Sequence, residues 1–187
     1  MRIHTIDSAP EESRPVLQQV QQMIGAIPNL AAGMAEAPGL VKGFFTLREI
    51  YLSGTLTPAE IEALSMSNAH DNGCDWCLAF HSRSAKGTSL SDAAIAALRA
   101  GGPPHEPRLR ALVRFARELI SRRGKVSPEV RAEFHAAGYT EAQELEVVLG
   151  SGFSLLANYA GNLIDPPLDE GLKPFAVGRT PDTVAAR

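Results

Sequence analysis

Apolar residues along this chain recur every three or four positions, and alternating runs of Val, Ile, Thr and aromatics are missing. That spacing is the helical one, so the pattern predicts an all-α protein. Residues 1–9 read as an irregular arm. Pro10 then precedes an amphipathic segment over 11–24, with Val16, Leu17, Val20, Met23 and Ile24 on one side and Gly25 as its stop. Pro28 and Pro38 bracket a short helix around 29–36, and a longer one over 39–53 carries Leu40, Phe44, Leu47, Ile50 and Tyr51. Thr57-Pro58-Ala59-Glu60 has the form of a helix start, with Thr as N-cap, Pro in the first turn and Glu at the third position; it opens 57–71. Asn72-Gly73 is a turn signal, and the next helix starts at Cys74 and runs to Gly87.

Ser91-Asp92 opens an alanine-rich helix to Ala100, and GGPPHEP over 101–107 breaks the pattern as a loop inside the domain. Residues 108–122 are strongly amphipathic, and the arginine series from 108 to 123 is expected to be a solvated face. Ser127-Pro128-Glu129 caps a helix ending at Gly138. Thr140 with Glu141 starts the last, 141–164, which is apolar on nearly every side and is therefore expected at the centre of the core. Asp165-Pro166-Pro167 ends it. The remaining 168–187 is expected to be an extended tail, which leaves 10–167 as the helical core.

Composition narrows the class. A chain of 187 residues is expected to form one domain, 1–187, with a substantial core. A net charge of −3 gives no reason to expect nucleic acid or an anionic membrane as partner. No stretch approaches the roughly 18–20 uninterrupted apolar residues that span a bilayer. The opening MRIHTIDSAPEE lacks the apolar core of a signal peptide, so the cytoplasm is the default compartment. The chain has 2 cysteines, Cys74 and Cys77, and both lie in one C-x-x-C. With no export signal, that pair reads as redox or metal-binding rather than as a disulfide scaffold.

The chemistry concentrates in Glu62–His81, EALSMSNAHDNGCDWCLAFH. If Cys74 opens a helix, then Cys74, Cys77 and His81 stand at i, i+3 and i+7 and share a face. Glu62, on the preceding helix, looks across at them. Thiols, imidazole and carboxylate in that relation are the parts of a proton-relayed dithiol. A helix start also favours the thiolate, through unpaired N–H groups and the dipole. His70 and Ser67 lie near the site in sequence, either as supporting groups or as decoration of the helix end. Trp76, between the cysteines, is a pocket wall or a packing residue. The alternatives for the cysteines are half of a zinc site and two inert helical thiols. A structural Cys₂His₂ site more often has its histidines downstream and 3–5 residues apart, which this sequence lacks.

Glu62-x11-Cys74-x-x-Cys77-x3-His81 resembles the signature of the alkylhydroperoxidase D-like, carboxymuconolactone decarboxylase superfamily. Ile27-Pro28-Asn29-Leu30, Ala37-Pro38, Ser53-Gly54-Thr55-Leu56-Thr57 and Asn158 resemble landmarks of its peroxidase-related branch. The likeness spans roughly 10–170. It implies an all-helical domain assembled as a homo-oligomer, usually a trimer or hexamer, with the dithiol near a subunit interface. It also implies thiol-dependent reduction of a hydroperoxide substrate, with Cys77 attacking, Cys74 resolving and an external dithiol reductant resetting the pair. Glu62 and His81 would move the protons, and no metal or organic cofactor is needed. The best-understood branch has a histidine immediately before the second cysteine, where this chain has Trp76. Two further classes stand beside this reading: a cofactor-free lyase or isomerase acting through Glu62 and His81, and a non-catalytic redox-responsive protein.

Overall fold

Side-chain caps, or prolines in the first turn, set where most helices begin. In a computed structural model, which describes residues 1–178, a 3₁₀ turn over Glu11–Ser13 leads into α1 (Arg14–Ile24). There follow α2 (Asn29–Met34), α3 (Pro38–Leu52), α4 (Pro58–Asp71), α5 (Asp75–Ala85), α6 (Asp92–Arg99), α7 (Pro107–Ser121), α8 (Pro128–Ala136) and α9 (Glu141–Ile164). Among the described residues there is no strand, so the fold is all-α as expected. Thr57 and Glu60 form a reciprocal capping box at α4, as Thr140 and Gln143 do at α9. Ser91 caps α6 by accepting the Ala94 N–H. Ser127 makes no such cap; its hydroxyl instead donates to Glu118 on α7.

The core is built around α4, which packs against α5, α6, α7 and α9. A surface helix keeps a polar face in water, yet residues 59–61 and 63–69 of α4 are all buried. The charge of Glu60 is accommodated there because Arg108 on α7 donates to its Oε1 at 2.7 Å and the Thr57 N–H to its Oε2 at 2.8 Å. Arg117 likewise reaches Asp71 at 2.8 Å and the Gly101 carbonyl at 3.0 Å. The arginine series of α7 is therefore not simply a solvated face: two of its members fasten α7 to the two ends of α4.

Two further expectations change. First, α9 is not core all round. Val147, Phe153, Ala157 and Ile164 are buried, whereas Leu145, Val148, Tyr159 and Leu163 on the opposite side are exposed. By length and apolarity alone α9 is able to span a membrane, but 56% of its most apolar window is buried inside the protein, as befits a core helix. Second, the segment after α9 is not extended throughout. Glu170–Phe175 forms a 3₁₀ helix that packs on α5, with Leu172 buried. Asp169 accepts both the Trp76 indole N–H and the Asn29 backbone N–H at 3.0 Å, and Arg99 donates to the carbonyls of Phe175 and Ala176. Residues 179–187 of the expected tail lie outside the described residues. The N-terminal arm is irregular but held: His4 is buried and bonded to Glu36 at 2.6 Å.

Candidate active site

The Asn72-Gly73 turn, with Gly73 at φ 68°, ends α4 and brings the chain back to start α5 beside it. Cys74 is the N-cap of α5, with extended backbone (φ −86°, ψ 95°), and its Sγ accepts the Cys77 N–H at 3.3 Å. Cys74 and Cys77 are joined as a disulfide at the start of this helix, and both are buried.

The two sulfurs meet as the helical spacing expects, but they do not line the same cleft. Cys77 and His81, both within α5, line one cavity; Cys74 lines a different cleft, with Asn72, Gly73, Gly161 and Asn162. A cap residue departs from helical φ and ψ, so its side chain turns back over the first turn instead of following the face. Glu62 meets this cavity from α4, and its Oε2 accepts the His81 Nδ1–H at 2.8 Å. Both side chains are 16% exposed, so the pair is shielded but reachable. With Nδ1–H held by the carboxylate, Nε2 is the basic nitrogen of the neutral ring and the one able to exchange a proton within the cavity.

The cavity walls are mostly apolar and include several aromatic rings. Trp76 stacks on Phe80 at 5.3 Å between ring centres, and Phe44 stacks on Phe153 at 4.9 Å. Trp76 is thus both wall and packing residue, and its indole N–H is tied to Asp169. His70 and Ser67 are not among the residues lining this cavity. The His70 ring packs on Gly101, whose φ of 77° and close approach leave no room for a side chain, and Ser67 is fully buried. Among the described residues, no group of three or more His, Cys, Asp or Glu gathers to hold a metal ion.

Three residues of the site escaped the sequence reading. Tyr51, counted only as an apolar position of α3, lines the cavity at 2% exposure; burial foremost, then the charges of Glu62, Glu146 and Glu60, push its phenol well above the usual range and keep it protonated. Ser65, one helical step from Glu62, also lines the cavity. Gly161 of α9 sits directly against the two sulfurs. Only Tyr51 left a usable signal, a hydroxyl at a position that the helical period buries.

Residues 38–118 match the model of the carboxymuconolactone decarboxylase family, a stretch running from α3 into α7 and including every residue of the Glu62–His81 segment. The chain also shares its fold with a peroxidase-related protein with an alkylhydroperoxidase AhpD core from Ralstonia eutropha JMP134, at 22% identity, covering 97% of this chain and 96% of that one, TM-score 0.78. A peroxidase-related protein from Silicibacter sp. TM1040 is similar at 17% identity, 92% coverage of each chain and TM-score 0.75. So is the debrominase Bmp8, at 20% identity, coverage of 92% and 93%, and TM-score 0.70. The sequence matches no curated protein. The match to the carboxymuconolactone decarboxylase family is thus confined to 38–118, while the all-α fold of the alkylhydroperoxidase D-like proteins is shared along the chain, with a redox-capable cysteine pair at the start of α5.

Proposed function

We propose that the protein is a thiol-dependent hydroperoxide reductase that cycles Cys74 and Cys77 between dithiol and disulfide. The observation that carries this reading is the convergence of Cys77 with the hydrogen-bonded Glu62–His81 pair on one cavity, while the partner sulfur of Cys74 is already within bonding distance of Cys77. In the first step the Cys77 thiolate attacks one oxygen of the O–O bond. The alkoxide or hydroxide leaves, takes a proton from the His81–Glu62 relay, and Cys77 becomes a sulfenic acid. The Cys74 thiol then condenses with it, releasing water and forming the disulfide. An external dithiol reduces that disulfide by two successive exchanges and is itself oxidised. The cysteine on the substrate side is the attacking one, which favours Cys77 over Cys74 despite the helix-start position of the latter. The reducing cytoplasm is the compartment that suits such a cycle.

A second reading has a specific observation behind it, the shared fold with the debrominase Bmp8, a cysteine-to-alanine variant of which is known in complex with 2,3,4-tribromopyrrole. Reductive dehalogenation also takes two electrons from a dithiol, but its product is bromide and not an alcohol. The deciding experiment titrates reduced protein with an organic hydroperoxide and separately with a bromopyrrole, following free thiols, the Cys74–Cys77 disulfide by mass, and released bromide. One equivalent of disulfide per equivalent of hydroperoxide, with no bromide release, is the expected result. Disulfide formation only with the bromopyrrole overturns it, and thiols inert to both leave the lyase or redox-responsive class.

A further inference from the structure

Two of the residues lining the cavity that holds Cys77, Glu62 and His81 carry hydroxyls that nothing in the protein engages. They are Tyr51 and Ser65, whose Oη and Oγ are buried and make no hydrogen bond. Leaving a buried hydroxyl unpaired costs on the order of 1–3 kcal/mol, so two of them on one cavity point to a ligand group that completes them. Their placement is not scattered. Ser65 stands three residues after Glu62 on α4, on the same helical face. Tyr51 feels Glu62 more strongly than any other charge. Room for the phenol is made by Gly150 on α9: a β-carbon there would lie 2.6 Å from Tyr51 Oη. Tyr51 and Ser65 thus lie near Glu62; Arg48 and Ser84 add polar groups elsewhere on the lining, and the rest is apolar, with Phe44, Phe45, Phe80, Phe153 and Trp76 as its aromatic part.

Size restricts the ligand further. The cavity measures about 130 Å³, slightly under the roughly 150 Å³ of an apolar protein cavity that takes up benzene. Resting on the function proposed above, we infer that Tyr51 and Ser65 form the polar subsite of a pocket for a compact, monocyclic-sized organic hydroperoxide, the two hydroxyls donating to an oxygen of the substrate head while the aromatic walls hold its body. Hydrogen peroxide leaves the aromatic surface unfilled, and a long-chain lipid hydroperoxide exceeds the space.

The test separates this subsite from the redox chemistry by using unreactive probes. Trp76, the chain's 1 tryptophan, lines the cavity, so its fluorescence reports occupancy in the oxidised protein. Benzyl alcohol and toluene have nearly the same body and differ by the hydroxyl. Tyr51→Phe is expected to weaken benzyl alcohol binding by about three- to tenfold, the value of one hydrogen bond, and to leave toluene binding within about twofold of the wild type on the same scale; Ser65→Ala acts in the same direction. The inference is overturned if both probes lose affinity equally, if benzyl alcohol loses none, or if neither binds the wild-type protein. Tyr51→Phe removes one atom from a packed ring, and an unchanged melting temperature confirms that folding is not what is read. If the probes discriminate as expected while hydroperoxides leave the thiols untouched, the subsite stands and the peroxidase reading falls.

Discussion

Gly161 allows α9 to approach the Cys74 sulfur so closely that a β-carbon at this position would lie 2.6 Å from Cys74 Sγ and 3.4 Å from Cys77 Sγ. The same face of α9 carries Gly150 three turns earlier, where a β-carbon would meet the Tyr51 phenol. Two absent methyl groups on one helix thus shape both the dithiol and the far end of the cavity.

Gly161→Ala tests this contact through its opposite effects on the two redox states. In a helix interior, alanine is favoured over glycine by roughly 0.8–1 kcal/mol, and in the dithiol form the thiols are free to rotate away from the new methyl. In the disulfide form the sulfurs are held in place, and overpacking costs typically about 1–3 kcal/mol. The variant is therefore expected to melt at a lower temperature than wild type when oxidised but not when reduced. Titration against a dithiol–disulfide buffer should show it more easily reduced. Equal shifts in both states count against the contact.

Glu62→Gln isolates the charge of the relay from its geometry. The glutamine oxygen still accepts the His81 Nδ1–H, so packing and melting temperature stay close to wild type. The proposed proton relay would lose the carboxylate that supports an imidazolium, and thiol consumption by hydroperoxide should slow by about 10²-fold, the lower range of general acid–base contributions. Stopped-flow measurement of thiol loss gives the rate; an unchanged rate removes Glu62 from the mechanism.

The helices and the Glu62–His81 encounter were legible because their causes are local. Thr57, Thr140, Ser91 and the glycine stops act within a turn of the residues they cap, and the Asn72-Gly73 reversal places α4 and α5 side by side. What the sequence hid depends on distant partners. The Glu170–Phe175 helix is held by contacts from Asp169 to Trp76 and Asn29, separated by 93 and 140 residues, and no period marks it because prolines interrupt the segment. The exposed side of α9 was equally hidden, since apolar composition alone does not distinguish a buried face from an unpartnered one. That Cys74 lines a different cleft from Cys77 and His81 follows from a cap conformation that spacing arguments treat as helix.

Asp169→Ala removes the acceptor shared by Trp76 and Asn29. Segment 165–177 should then exchange its amide hydrogens markedly faster while α4 and α9 do not, because their packing does not depend on it. Trp76 loses its anchor at the same time, so its fluorescence should shift. Unaltered exchange over 165–177 means that Leu172 and the Arg99 contacts hold the segment without Asp169.

Leu145, Val148, Tyr159 and Leu163 are 71%, 48%, 60% and 72% exposed, and at 3.6 residues per turn they fall within a sector of about 60° on α9. Such a stripe, about 27 Å long at 1.5 Å per residue and without charge, suits association with the same helix of another copy. Homo-oligomerisation through α9 is the expected arrangement. Leu163→Glu should shift the mass found by light scattering toward the monomer without lowering helical content; a wild-type protein that is already monomeric at micromolar concentration rules it out.

Acid stability should depend on Glu60 in a defined direction. Burial alone raises its pKa, but this is outweighed by the Thr57 N–H, the neighbouring Tyr139 hydroxyl, Arg108 and the Thr57 hydroxyl, and the net shift is below the usual 4.5. A carboxyl with a depressed folded pKa contributes stability that is fully present above its unfolded value and is lost as pH falls through the folded one. Arg108 is 44% exposed, so solvent screening limits the pair to roughly 1 kcal/mol. A glutamine at 60 can still accept the Thr57 N–H, as Gln143 accepts the Thr140 N–H at α9, so the substitution removes the charge and keeps the capping box. Urea unfolding of wild type and Glu60→Gln should differ by about this amount at neutral pH, and the gap should narrow steadily once the pH drops below about the 4.5 of an ordinary glutamate. Other carboxylates with depressed pKa values, Glu106, Glu118 and Glu144, titrate in both proteins and cancel in that difference. A gap that stays constant down to the acid transition shows that Glu60 acts through packing and not through its charge.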